Sequence, residues 1–513
     1  MPILVCLPYR IEVPVHAVSL NMKILLLSIL NSIVYRILAI LLAAITTPLH
    51  AQNWSISFDG VGTFSSPRIT DLNGDGVGDV ILGAGREEFH ACDSAVVALD
   101  GKTGKMLWRV RSVDQIFGSA ALKDLNGDSV LDVVIGGRSA ELKAIDGATG
   151  KIIWKFNKRK GAKKWYNFYN PQFVTDQDGD GMEDILISNG GDVLAEPYDP
   201  NRPPGNLVVL SSRDGSLLAK AQMPDGKETY MSVAALPVDG GRDYKVVFGT
   251  GGETIGGNLF VTMLSDVLKG DLSSARLLDT SADKGFIGPP AWIDVNGDHH
   301  PDIIANAVEG KLLAFDGQTF ELLWTVKVPN TEAYSSIAPG YFNGDSIPDF
   351  FVSYAIGRWP KLEWSKQLMV NGATGKIEFL DSLGYYQTST PVIIDLDNDG
   401  WEDAILSVNS HVYDEADHRT LNNILMVVNF RSKEVIQLWD SREGSNISST
   451  PWIGDMDQDG LLDIVYCHGT NTQKTYTFDG LRINRIATGI PIQSPIRWGS
   501  YMGSNYDGIY PAK

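Results

Sequence analysis

The 513 residues are 43% hydrophobic and 20% charged, ordinary for a soluble globular protein and enough for a large core. A formal net charge of −19 excludes the basic face that nucleic-acid binding needs. The length admits two or three average domains, although all-β propellers run long as single units.

Residues 1–51 read as a secretory signal region, with Met22 as the expected true start. Met22-Lys23 leads into an apolar stretch, Ile37–Ile45 extends it after Arg36, and Thr46–Ala51 ends it on a small residue. An uncleaved membrane anchor is the alternative, and the only route to a membrane that the chain offers. The expected localisation is secreted or extracytoplasmic, at a cell surface or in a periplasm. Residues 52–513 are expected to form one domain. Within it only Cys92 and Cys467 remain, read as buried free thiols with a disulfide as the alternative.

Asn53–Phe58 is a strand with no partner nearby in sequence. The first copy of a repeated loop follows, with oxygen-bearing side chains at its first, third, fifth and ninth positions: Asp71, Asn73, Asp75 and Asp79. The second holds Asp124, Asn126, Asp128 and Asp132, and the third Asp176, Asp178, Asp180 and Asp184. At Val238–Asp243 the pattern is lost. Asp294, Asn296, Asp298 and Asp302 restore it, and in the sixth copy Tyr341 replaces the first ligand while Asn343, Asp345 and Asp349 remain. Asp395, Asp397, Asp399 and Asp403, then Asp455, Asp457, Asp459 and Asp463, complete the series.

A hard cation such as Ca²⁺ takes six to eight oxygens from a flexible loop, with a backbone carbonyl commonly added at position seven. Those carbonyls belong to Val77, Val130, Met182, His300, Trp401 and Leu461. About six Ca²⁺ sites are therefore expected, with the fourth loop empty and the sixth weak. The six full loops contain 21 of the aspartates, so the acidity says little about a partner. His299-His300 is read as solvent-facing loop rather than a zinc pair.

The loops recur about every 55 residues, a period that suits four short strands. In the second repeat the strands are read as Ser119–Lys123, Leu131–Ile135, Glu141–Ile145 and Lys151–Phe156. The strand after each loop is nearly all apolar, as expected when both faces are covered. Each repeat therefore needs neighbours, and a closed ring removes exposed ends. The expected fold is all-β: a single β-propeller of four-stranded blades, eight favoured and seven as the alternative. Asp-Gly-x-Thr-Gly turns at Asp100–Gly104 and Asp146–Gly150 precede Trp108 and Trp154, each expected to pack on the next blade. The tail Arg497–Tyr506 is expected to wrap back and help close the ring.

With these residues in view, the chain resembles the FG-GAP repeat family, the calcium-loop propellers of integrin α chains and many exported bacterial proteins. Its Thr-Gly-x-x-x-Trp turns are similar to those of quinoprotein propellers. The resemblance implies a propeller with calcium on one rim and ligands held by blade-connecting loops. Family members are mostly adhesion or binding modules, and a few related eight-bladed propellers are polysaccharide lyases. Eight copies spread around the ring depart from the integrin pattern.

The chain contains no Gly-x-Ser-x-Gly or His-Glu-x-x-His motif and no vicinal cysteine pair, so no catalytic residue is assigned. One basic and aromatic cluster, Lys158–Tyr169, stands out in an acidic chain. Lys163, Lys164, Trp165 and Tyr166 are read as a rim that grips a ligand, with Ala195–Pro204 walling the same face; the alternative is a long solvated loop with its aromatics packed on the propeller. The reading is a non-catalytic binding or adhesion module for a surface glycan or protein; the alternative is a lyase acting on uronate glycans.

Overall fold

The computed structural model describes residues 53–157, 164–386 and 389–511. The signal region and Lys158–Lys163 lie outside them. Eight antiparallel sheets follow one another around a ring, and in the first seven the four strands run in chain order from the axis outward. In blades 3 and 6 the innermost strand is split in two, as Asn167–Phe168 with Gln172–Val174 and Thr331–Glu332 with Ala338–Gly340. The second repeat has strands at Ala121–Lys123, Asp132–Gly136, Leu142–Ile145 and Ile152–Lys155, close to the predicted bounds.

The second strand of each blade is where the core sits. Asp79–Gly83, Asp132–Gly136 and Asp184–Gly190 are buried along their whole length, because a neighbouring blade covers each face. Outer strands alternate, as in Met106–Ser112. Among the described residues the one helix is the short Leu264–Lys269.

Blades are tied to one another by the predicted tryptophans. Trp108 Nε1 donates to Gly147 O (2.6 Å), Trp154 Nε1 to Ser212 O (2.7 Å) and Trp324 Nε1 to Gly372 O (2.7 Å), always in the next blade. The Trp108 ring also presses on Gly150, whose φ of +69° and lack of a Cβ let it sit there.

The orphan strand Trp54–Asp59 resolves the blade number. It is the outermost strand of blade 8, pairing with Gly480–Pro491 in register Trp54↔Arg485 to Asp59↔Gly480. Trp54 Nε1 then donates to Gly101 O of blade 1 (2.7 Å), so the two chain ends lock the ring. Cys92 and Cys467 are free and buried in the same apolar cluster at this junction.

The C-terminal tail adds to this closure, as expected from sequence, by bonding blade 8 at Gly499 and blade 1 at Ser500 and Tyr501. It does so by running along the innermost strands. Trp498 O accepts from Ile393 N, Gly499 O from Ile453 N and Gly508 O from Trp292 N, at 2.8–2.9 Å. Arg68 donates to Ser500 Oγ and Tyr501 O, and Gln172 to Asp507 O. Innermost strands would otherwise turn unpaired N–H groups to the axis, and the tail accepts them.

Candidate functional site

Two sites emerge, one on each face. The acidic loops join the first and second strands of their blades, and the Asp-Gly-x-Thr-Gly turns join the third and fourth, so both lie on one face. Positions four and six of all six full loops take positive φ, mostly at glycine but also at Ser129, His299, Asn398 and Gln458. This winding lets the first aspartate collect backbone N–H groups: Asp71 accepts from Gly74 (2.8 Å) and Gly76 (3.0 Å). The position-five carboxylate accepts from position seven, as Asp75 does from Val77 (2.9 Å). Position nine is buried, and its Oδ2 accepts from position two, as Asp79 does from Leu72 (2.8 Å).

Position three divides the loops. In loops 1, 2 and 5 it is asparagine, and its amide approaches the ninth-position carboxylate: Asn73 to Asp79 (3.4 Å), Asn126 to Asp132 (3.3 Å), Asn296 to Asp302 (3.4 Å). In loops 3 and 7 it is aspartate, which cannot donate. Asp184 Oδ1 and Asp403 Oδ1 are left buried with no hydrogen-bond partner. Carboxylate oxygens of Asp176, Asp178 and Asp184 lie within 4.8 Å of one another, as do those of Asp395, Asp397 and Asp399. Burial, then its acidic neighbours, pushes the Asp403 carboxyl up to about 8 and that of Asp184 to about 6. A buried, unpartnered oxygen among like charges fits a bound cation, and these two loops fit one best.

Loop 8 has the same four aspartates and a different solution. Arg485, buried in the third strand of its blade, donates from Nε to Asp463 Oδ1 (3.0 Å). Its Nη2 reaches Asp463 Oδ2 (3.0 Å) and Asp457 Oδ2 (2.6 Å), and Nη1 reaches Gly101 O in blade 1 (3.0 Å). A guanidinium thus stands between positions three and nine, although Asp455, Asp457 and Asp463 still bring carboxylate oxygens within 4.8 Å of one another and Asp457 Oδ1 stays buried without a partner, so the arginine meets only part of this loop's demand for a cation. Pairing across the second strand places Arg485 where blades 1, 2 and 5 have Ala98, Ala144 and Ala314. That lone basic residue in an apolar column was the overlooked sequence signal.

Loop 6 has replaced its metal chemistry. Tyr341 is buried; its O accepts from Glu402 N (2.8 Å) and its N–H donates to Glu402 Oε2 (2.8 Å), a carboxylate that also takes Arg497 (3.2 Å) and Tyr510 (3.1 Å). Loop 4 is a tight turn closed by the Val238↔Asp243 pair. His299 is almost fully exposed, as expected for a solvent-facing loop.

The opposite face carries a cavity of about 620 Å³ over the channel mouth. Connections from every blade line it, and nine aromatic residues dominate: Phe64, Phe117, Tyr169, Tyr198, Tyr230, Tyr334, Trp359, Tyr386 and Tyr476. A belt of side-chain to backbone hydrogen bonds sits beneath. Thr450 N donates to Ser66 Oγ, Ser66 N to Ser119 Oγ and Ser119 N to Asn170 Oδ1, at 2.6–3.0 Å. Ser336 N and Thr390 N continue it to Thr390 and Thr450. Phe64, Phe117, Tyr230 and Tyr334 each stand two residues before a serine at this level. That aromatic-x-Ser spacing was readable and went unread, because each copy alone looks like an ordinary loop.

Charged groups around the mouth are paired. Arg138 binds Glu88 (2.6 Å), Arg202 binds Glu228 (2.8 Å), Lys284 binds Glu332 (2.5 Å) and Lys164 binds Asp192 (3.1 Å). Tyr334 donates its hydroxyl to Glu332 as well (2.5 Å). Burial raises Glu228 to about 7 against the pull of Arg202.

Only part of the rim expected from sequence reaches this cavity. Lys163 lies outside the described residues. Lys164 is exposed, 4.7 Å over the Tyr166 ring, and its partner Asp192 lines the mouth. Trp165 is instead a core residue, edge-on to Phe156 and stacked on Phe168, so its ring is closed to a ligand. The Ala195–Pro204 excursion does wall the cavity, through Ala195, Pro197, Tyr198 and Arg202.

Residues 54–259 match the family model of the FAM234A/B β-propeller, and residues 294–352, spanning loops 5 and 6, match the FG-GAP-like repeat. The chain is an eight-bladed β-propeller that carries an FG-GAP-like repeat at residues 294–352. No curated protein matches it. Among solved structures, quinohemoprotein alcohol dehydrogenase from Comamonas testosteroni aligns at 12% identity and TM-score 0.55, over 86% of this chain and 77% of the other. A europium-containing methanol dehydrogenase aligns at 12% and 0.53, over 84% and 92%. Rhamnogalacturonan lyase from Bacillus licheniformis aligns at 13% and 0.49, over 89% and 78%. At such identities the likeness is one of fold.

Proposed function

We propose that this propeller is an exported binding module that holds a glycan in its aromatic mouth and is stiffened by Ca²⁺ on the opposite face. The observation that carries the reading is the cavity itself. Pockets of roughly 300–1,000 Å³ lined by aromatic groups with a few placed polar atoms are built for small ligands or short chain segments. Sugar rings have apolar faces and hydroxyl edges. Tyr230, Tyr334, Tyr386 and Tyr476 offer both an aromatic plane and a hydroxyl to such a ring.

On the acidic face, Asp176, Asp178, Asp180 and Asp184 with the Met182 carbonyl would hold one ion. Asp395, Asp397, Asp399 and Asp403 with the Trp401 carbonyl would hold another. Calcium there supplies charge neutralisation and rigidity, not chemistry on a substrate. Loops 1, 2 and 5 would bind more weakly, with fewer carboxylates each.

A uronate lyase is the weaker reading. Such an enzyme must neutralise the substrate carboxylate, and Arg138 and Arg202 at the mouth are already engaged by Glu88 and Glu228.

The test is a glycan array probed with residues 52–513 in millimolar Ca²⁺. Retention on a subset of glycans, lost in Tyr334→Ala with Trp359→Ala while the melting temperature holds, is the expected result. Retention unchanged by that pair would remove the mouth as the site. Release of unsaturated uronate ends from any bound polysaccharide would replace binding with lyase chemistry.

A further inference from the structure

One carboxylate at the mouth is left over. Arg138, Arg202, Lys284 and Lys164 each have a carboxylate of their own, at 2.5–3.1 Å. Glu253, on the loop between the second and third strands of blade 4, lines the same cavity. Among the described residues it has no ion-pair partner.

Tyr169, Tyr230, Tyr334, Tyr386 and Tyr476 line the same cavity, brought there from blades 3 to 8. Lys284, Arg202 and Arg138 are near enough to favour the ionised form of Glu253, yet burial outweighs them and pushes its carboxyl up. Removing a carboxylate from water without a partner is costly, and a cation brought by a ligand offsets that cost. Aromatic faces around such a cation add attraction of their own. A lone carboxylate among phenols is too few oxygen ligands for a hard metal ion.

We infer that the sugar held at the mouth carries a protonated amine, seated against Glu253 inside the tyrosine ring. This rests on the glycan reading above and names the class: a chain containing unacetylated amino sugar. A neutral sugar would stack equally well and leave Glu253 unpaired. An N-acetylated unit would do the same, with added bulk where the amine belongs.

The experiment is titration calorimetry on residues 52–513 in millimolar Ca²⁺ with three trimers: glucosamine, N-acetylglucosamine and glucose in β-1,4 linkage. The glucosamine trimer should bind at least tenfold tighter than either of the others. Glu253→Gln, which keeps the shape of the side chain, should erase that preference with an unchanged melting temperature and unchanged weak binding of the glucose trimer. Equal affinity for the three trimers, or a preference that survives Glu253→Gln, overturns this inference and leaves the glycan reading intact. Binding of none of the trimers, with no retention on the array, overturns both.

Discussion

The two faces of the ring handle charge in opposite ways. On the loop face, carboxylates are gathered with their own kind, and Asp184 and Asp403 each keep a buried oxygen without a partner. On the mouth face, carboxylates are matched one to one with Arg138, Arg202, Lys284 and Lys164, and Glu253 has no ion-pair partner among the described residues. The first arrangement leaves carboxylates that the proposed Ca²⁺ would neutralise; the second is nearly complete in itself. Loop 8 shows that the two solutions are interchangeable. There a single arginine, Arg485, brings the mouth's internal pairing into the loop face.

The largest effect that separates the faces is removal of calcium. Each loop that binds contributes roughly 2.7 kcal/mol at a free ion concentration a hundredfold above its Kd. Loops 3 and 7 together should therefore give about 5 kcal/mol, read as a fall of about 5 °C in melting temperature on chelation. Asp184→Ala with Asp403→Ala should abolish most of that calcium-dependent increment. An increment that survives the pair would break the distinction between loops.

Next comes Arg485→Met. Removing one partner of a buried ion pair costs about 3–5 kcal/mol, because the carboxylates of Asp463 and Asp457 are left facing each other. Millimolar Ca²⁺ should restore part of this loss, and ion stoichiometry should rise by one. A variant as stable as the parent, or one indifferent to calcium, would show that loop 8 is not a converted metal loop.

Acid probes the mouth side. His468 is buried beside Tyr466, with its Nδ1 at 3.0 Å from Gly469 O, and burial, then the charges of Arg482 and Arg442, brings its imidazole down to about 4. The folded state thus keeps it neutral while the unfolded chain takes up a proton near the ordinary 6.5. Its contribution is whole above that value and is lost as pH falls toward about 4, on the order of 3 kcal/mol in all. The stability difference between the parent and His468→Gln, followed from pH 7 to pH 4 in calcium, should shrink accordingly; a constant difference would refute it.

The smallest effect concerns Trp359 alone. Trp359→Ala should weaken glycan retention about tenfold, on the order of 1.4 kcal/mol, and leave the calcium-dependent melting increment unchanged. Loss of that increment would mean that the faces are coupled.

Much of the loop face was legible because its ligands are neighbours in the chain. Nine consecutive residues carry the first, third, fifth and ninth oxygens, so offset alone identifies them. The tryptophan contacts were legible for a similar reason, since Trp108 and Trp154 recur at fixed distances from their turns. Asn53–Phe58 was recognised as a spare strand, yet only its pairing with Gly480–Pro491 settled eight blades. Trp165 had two readings from sequence, a ligand platform beside lysines or an aromatic packed on the propeller, and the structure takes the second, with the ring filling space next to Phe156 and Phe168.

The sequence by itself determined the repeat, the strand order and the places where carboxylates crowd, since local spacing dictates each of them. Tertiary structure alone decided which crowded carboxylates are neutralised from within, because Arg485 reaches loop 8 across a strand pair and not along the chain. It also decided that the tail runs along the innermost strands and that the mouth exists. That cavity gathers side chains from all eight blades, from Phe64 to Tyr476, and only closing the ring brings them to one axis.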